Sequence, residues 1–270
     1  MNNQAVRIFF TLLAFTLIQA CTGQSEREIS MANSEAEGGR FQKAMEYFEK
    51  AIVKMSGKSS ALQAAKDAAR ISFFELKDYK KALEYYQYLV INSPDQNDRM
   101  EAQKQIVSIY FEHLTQYEKA ISEIYKLSQM LTNHSDRVHY RILLAKAYYY
   151  KNDFYQSESE VDEFLREKIS KDFRYDLLLL KANIAFGKKQ PDKATSILSS
   201  LVAEYPEKAA EDNLGVTLAV AYEDSQQYDK AIAELQKQKI RSKNPEAIDL
   251  RIKRLVDRRL NQPGRRGKRK

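Results

Sequence analysis

Cysteine is almost missing from this chain: Cys21 is the only one in 270 residues, and tryptophan is absent altogether. A single thiol excludes an internal disulfide framework and any cysteine-rich metal cluster. Histidine is scarce too, at His113, His134 and His139. The last two are five residues apart, which misses the four-residue spacing that sets two metal ligands on one helical face. No glycine-rich phosphate loop or nucleophile elbow is present, and Gly38-Gly39 reads as a turn. Carboxylates are many but scattered at helical spacing, as on solvated faces. These absences point away from an enzyme, and they imply neither a cofactor nor a bound metal. Only eight glycines and five prolines punctuate the chain, and alternating strand-like runs are lacking. With 30% charged and 43% hydrophobic residues, the composition predicts amphipathic helices throughout.

Long apolar runs are also missing, with one short exception. Ile8 to Ile18 (IFFTLLAFTLI) is uncharged and follows Arg7. Eleven residues fall well below the roughly 20 needed to span a bilayer, and they suit the apolar core of a secretion signal. Cys21 comes directly after it. The tetrapeptide Ile18-Gln19-Ala20-Cys21 resembles the lipobox of bacterial lipoproteins. That resemblance implies cleavage before Cys21, acylation of its thiol (diacylglycerol and palmitate), and, with Thr22 rather than Asp next, a place at the outer membrane facing the periplasm. Ordinary cleavage after Ala20, releasing a soluble secreted protein, is the alternative. Residues 1–20 are thus expected to be a removed signal and 21–24 a short tether. Ser25 and Glu28 have the spacing of a capping box that would open the first helix.

From there a phrase recurs: an aromatic, two residues, a small residue, then apolar residues at helical spacing. It reads FQKAMEYFEKAI, YKKALEYYQYLV, YEKAISEIYKL, FYQSESEVDEFL, PDKATSILSSLV and YDKAIAELQKQ. The small residues are Ala44, Ala82, Ala120, Ser157, Ala194 and Ala231, at spacings of 38, 38, 37, 37 and 37. Each phrase is preceded by another helical stretch and a polar break, so each repeat is a helical hairpin. One hairpin cannot bury its apolar face alone, and successive hairpins must stack.

The pattern resembles the tetratricopeptide repeat (TPR) family over about 25–244. The family's small residue twelve positions before the anchor appears as Ala32, Ala145, Ala182 and Ala219, while Arg70 and Ser108 stand there in repeats two and three. Its helix-ending proline appears as Pro94 and Pro206. The resemblance implies an all-α fold, an α-solenoid of about six hairpins, and a concave groove formed by the first helix of each. By family analogy the groove is lined by Ile71 and Phe74, by Ile109 and Glu112, by Lys146 and Tyr149, by Asn183 and Phe186, and by Val220. It would take a helix or extended segment of an envelope protein. Equally, Phe74, Tyr149 and Phe186 could pack between helices. A lipobox followed by about six such repeats is similar to the pilotin-type and BamD-type lipoproteins of outer-membrane assembly. This implies an adaptor for a pilus secretin, barrel-assembly or motility machine.

Net charge is +7 and uneven: residues 237–270 carry fourteen Lys/Arg against three acids. After Pro245 one more helix is expected over 245–262. Ile248, Ile252, Leu255, Val256 and Leu260 form an apolar stripe that would cap the last hairpin, and Arg251, Arg254 and Arg258 line another face. Residues 263–270, with Arg265, Arg266, Lys268, Arg269 and Lys270, read as a disordered basic tail. A secretion signal argues against nucleic acid. Anionic lipid, cell-wall polymer or an acidic protein patch are the accessible partners, and a peripheral surface-binding module is the rival to the adaptor. A tail that only aids solubility is the remaining reading.

Overall fold

A computed structural model describes residues 26–54, 59–240, 242 and 244–261, and these are helical with short turns. Cys21, the lipobox, Ser25 and the tail residues Arg265, Arg266, Lys268, Arg269 and Lys270 lie outside the described residues. The chain divides into two compact units, one up to Asn133 and one from His134.

The first unit comprises α1 (26–37), α2 (Phe41–Lys54), α3 (Ser59–Arg70), α4 (Tyr79–Asn92), α5 (Gln96–Ser108) and α6 (Tyr117–Ser128). The second holds α7 (His134–Tyr150), α8 (Phe154–Leu165), α9 (Lys171–Gly187), α10 (Pro191–Glu204), α11 (Pro206–Glu211), α12 (Leu214–Asp224), α13 (Tyr228–Lys239) and α14 (Pro245–Leu260). In each unit consecutive helices pack antiparallel into hairpins, and hairpins stack on their neighbours as in an α-solenoid. The aromatic or proline that opens every repeat phrase is the first residue of a second helix: Phe41, Tyr79, Tyr117, Phe154, Pro191 and Tyr228.

All six anchors are fully buried at 0% exposure. A small side chain there lets the two helices of a hairpin approach closely enough to interdigitate. In α3 that role is spread along the helix: Ala61, Ala64, Ala65, Ala68 and Ala69 are all buried. Phe48 of α2 fills the space they leave. Complete burial of a side chain of that size contributes about 2–3 kcal/mol.

Every hairpin turns through one left-handed residue five positions before its anchor: Gly39, Lys77, Thr115, Asn152, Lys189 and Gln226. The amide after it reaches back to the end of the preceding helix. Arg40, Asp153, Gln190 and Gln227 bond to the carbonyl five residues earlier (Glu35, Tyr148, Ala185, Tyr222), a Schellman closure. Asp78 and Gln116 instead reach six residues back, to Ser72 and Tyr110, at 2.8 Å each. These two hairpins carry one additional residue, taken up as π-helical turns at Ile71–Glu75 and Ile109–His113. The amides of Leu76 and Leu114 bond five residues back to Ile71 and Ile109. The π-turns occupy the two repeats whose anchor spacing is 38 instead of 37, so the odd residue has a definite place.

That insertion resolves the mismatch at Arg70 and Ser108. Upstream of a π-turn, every position shifts by one, and the buried small-residue place falls on Ala69 and Val107, both 0% exposed. Side-chain caps start several helices: Asp78 Oδ1 accepts from the Lys81 amide (3.1 Å) and Asp153 Oδ1 from that of Gln156 (3.3 Å). Such caps contribute about 1 kcal/mol each. The short helix α11, between the fifth and sixth hairpins, was not legible as a separate element. Pro206 starts it at a first-turn position where a missing N–H costs nothing. The capping helix ends at Leu260. Leu255 is its buried residue, and Ile248, Ile252 and Val256 lie partly buried against Ala231, Ile232 and Leu235. Glu28, the expected partner of Ser25, pairs with Lys54 Nζ at 2.6 Å.

Candidate partner-binding surfaces

In the first unit the π-turns redistribute the expected groove residues. Ile71 and Ile109 are 2% and 0% exposed and belong to the core, so the expectation that they line a groove is corrected. The reason is the added residue, which rotates everything before it by about 100° around the helix. Lys66 and Arg70 in α3, and Lys104 and Ser108 in α5, take the outward places. Lys66 Nζ meets Asp98 of α5 at 2.6 Å, and Ser108 Oγ donates to Glu112 Oε2 at 3.3 Å. Arg70 and Asp67 face Asn33 and Glu37 of α1 across a polar cleft of about 380 Å³. Sequence reasoning missed Asn33, Glu37 and Arg70. The signal that could have found them was the failed small-residue match at Arg70, combined with the 38-residue spacing.

Phe74 lies beyond the offset and does face outward, with 60% of its surface exposed. It is not loose. Phe73 meets it edge-on at 4.7 Å, and Phe73 in turn contacts Tyr79 and His113. His113 stacks on Tyr79 at 4.5 Å. The imidazole, itself exposed, thus belongs to an aromatic cluster whose Phe73 lies against Phe74. Glu112, beside this cluster, is exposed.

In the second unit, Tyr149 is half-buried and packs against the cluster of Val138, Ile142, Val161 and Phe164. Its ring centroid is 5.7 Å from that of Phe154. Phe186 is half-buried against Tyr175, Leu198 and Leu218. Both rings thus spend much of their surface between helices, as the packing alternative expects. Lys146, Asn183 and Val220 are half-buried. At the end of this unit Glu223 receives Arg251 (3.0 Å) and Arg258. Arg259 pairs with Asp229 at 2.6 Å. Arg254 is exposed, beside Leu250 in a cleft of about 390 Å³ between α12 and α14.

The electrostatics are those of structural pairs. Tyr85 donates to Glu49 Oε1 (3.1 Å), and burial, with the Glu49 charge second, pushes its phenol up. Burial and then the bond to Asp212 Oδ2 (2.6 Å) do the same to Tyr175. Hydrogen bonds from Lys188 and Lys193 hold Glu158 below the usual carboxylate range. Among the described residues the resolved shifts lower carboxyls (Glu35, Glu158) and raise lysines and phenols through burial and neighbouring pairs. No group of three His, Cys, Asp or Glu among them is placed to hold a metal. No helix among them is long and apolar enough to cross a membrane.

Residues 29–97, from α1 through α4, match the family described as tetratricopeptide repeat. The matched stretch spans the first two hairpins. The remaining four hairpins share two features with them, a fully buried small anchor and a left-handed residue five before it. No curated protein matches the chain. Solved structures that do include a TPR protein from Parabacteroides merdae, 16% identical over 86% of this chain and 98% of that one, with a TM-score of 0.46. YrrB, a TPR protein with an unusual peptide-binding site, is 14% identical over 70% and 93%, with a TM-score of 0.47. PilW, a widely conserved type IV pilus biogenesis factor, is 16% identical over 83% and 97%, with a TM-score of 0.49. The likeness is one of fold.

Proposed function

We propose that this protein is a non-enzymatic TPR adaptor, anchored at the outer membrane through an acylated Cys21 and facing the periplasm. It binds envelope proteins through the exposed faces of its first helices and aids assembly of an outer-membrane complex. The observation that carries the adaptor reading is Phe74, a mostly exposed aromatic on a first-helix face, met edge-on by Phe73 of the neighbouring aromatic cluster. Rigid aromatic side chains lose little entropy on binding and dominate many interfaces. The anchor rests on Ile18-Gln19-Ala20-Cys21 after the apolar run.

Two measurements test the two halves separately. Crosslinked envelope complexes from cells carrying Phe74→Ala should lose co-purified protein, as an affinity loss of about tenfold or more predicts, with the melting temperature unchanged. Full recovery of the complex would refute the groove reading. Metabolic labelling with a palmitate analogue should mark the wild type and spare Cys21→Ser, which should leave the membrane fraction. Persistent membrane association of that variant refutes the anchor and leaves the adaptor reading intact.

A further inference from the structure

The last helix carries more positive charge than the fold uses. Arg251 and Arg258 both engage Glu223, Arg259 engages Asp229, and Asp249 of the same helix is held by Lys239 at 2.7 Å. Arg254 sits one turn from Arg251 and one from Arg258, on the same face, exposed. The acid nearest in the cleft, Glu223, is already neutralised twice over. The cleft wall beside Arg254 is apolar: Leu250 is 52% exposed there, next to Ala247 and Leu255. The outer face of α14 offers an aliphatic patch beside surplus guanidinium.

We propose that the α12–α14 cleft is a docking site for an acidic amphipathic protein segment, a carboxylate meeting Arg254 while an aliphatic side chain covers Leu250. Charge complementarity selects the carboxylate. The neighbouring apolar wall selects against a purely polar polyanion, because burying Leu250 contributes only if the ligand brings apolar surface. The cleft of about 390 Å³ lies along α14 with Glu223 of α12 at its edge, and anionic lipid, which also brings apolar surface, is the alternative that the vesicle arm of the test separates. A carboxylate is recognised bidentately by a planar guanidinium, which makes Arg254 more than a point charge. The proposal rests on the adaptor reading and names the chemistry of one of its partners.

The test is fluorescence anisotropy with the full chain in detergent and a labelled peptide of repeating Glu-Leu-Leu-Glu. Its Gln-for-Glu counterpart, poly-glutamate and phosphatidylglycerol vesicles serve as competitors. The Glu-Leu peptide should bind, and Arg254→Gln and Leu250→Gln should each weaken it about five- to tenfold. Lys253→Gln, one position away on the exposed side, should leave affinity unchanged. Thermal melts of all variants should coincide, since each side chain is exposed. Equal loss in Lys253→Gln, or full competition by poly-glutamate, would reduce the site to general charge and overturn the proposal. So would unchanged binding in Arg254→Gln, binding of the Gln peptide, or vesicle binding lost in the same variants while peptide binding is absent. The assay is done outside the cell, so a failed anchor at Cys21 does not affect it.

Discussion

Replacing Thr115 by glycine should stabilise the protein, although glycine usually does the opposite. Thr115 has a φ of 49°, in the left-handed region, where Cβ crowds the backbone. The penalty for a non-glycine residue there is about 1–2 kcal/mol, and branching at Cβ puts threonine at the upper end. Glycine removes that cost but adds about 0.5–1 kcal/mol of unfolded-state entropy to be lost on folding. The side chain is exposed, so no packing is forfeited. The balance favours Thr115→Gly by about 1 kcal/mol, or several degrees in melting temperature. The same turn position supplies its own controls. Lys77 (φ 52°) and Lys189 (φ 58°) are unbranched, so their glycine variants should gain less. Asn152 (φ 64°) tolerates this conformation, and Asn152→Gly should gain nothing. Gly39 (φ 73°) has open space around its missing Cβ, so Gly39→Ala should cost about 1 kcal/mol from the backbone alone. Urea unfolding followed by circular dichroism, compared at constant slope, reads the series. If Thr115→Gly lowers the midpoint, or gains no more than Asn152→Gly, backbone strain at this turn is not what separates them.

Three other expectations follow from the packing. Deleting Arg70 removes the residue that the first π-turn absorbs and leaves a 37-residue repeat, so the melt should shift by no more than about 2 kcal/mol equivalents. Deleting Lys146 from α7, which has no spare residue, should cost over about 4 kcal/mol, and equal effects would contradict the insertion. Gly187→Ala would place a Cβ 2.5 Å from Cε1 of Phe154, a ring packed against Tyr149. Overpacking of about 1–3 kcal/mol should outweigh the helix-propensity gain of up to about 1, so a higher urea midpoint would count against a rigid Phe154. Glu158 and Lys188 meet at 2.5 Å, with the carboxyl held below 4.5 and the amine above 10.5. The carboxylate's share of stability is complete above its unfolded value and is lost as pH falls through the lowered one. The lysine's share is complete below its unfolded value and is lost as pH rises through the raised one. Calorimetry of Glu158→Gln should therefore show its deficit at neutral pH vanishing in strong acid, and a deficit constant with pH would remove this pair as the cause.

The hairpins were legible because their determinants are local. An anchor such as Ala120 and an opener such as Tyr117 recur at fixed offsets, and offset alone places the second helix. The groove was less legible, since outward direction depends on accumulated rotation along a helix, and one inserted residue changes it by about 100°. That insertion leaves two marks in the sequence, a spacing of 38 and Arg70 and Ser108 standing where alanine belonged. Each mismatch looked like a weak repeat when taken singly. Together they specify a π-turn, because the extra residue must lie between the small-residue place and the turn while the anchors on either side stay in register. The half-burial of Tyr149 and Phe186 could not be read in this way. Whether a ring stops at the core or reaches past it depends on the side chains of neighbouring helices, Phe154 for one and Leu218 for the other. The pairing of Arg251 and Arg258 with Glu223 joins residues 28 and 35 apart. It is this non-local pairing that separates Arg254 from its neighbours: from sequence the three arginines form one basic stripe, and in the fold two are consumed and one is left to bind.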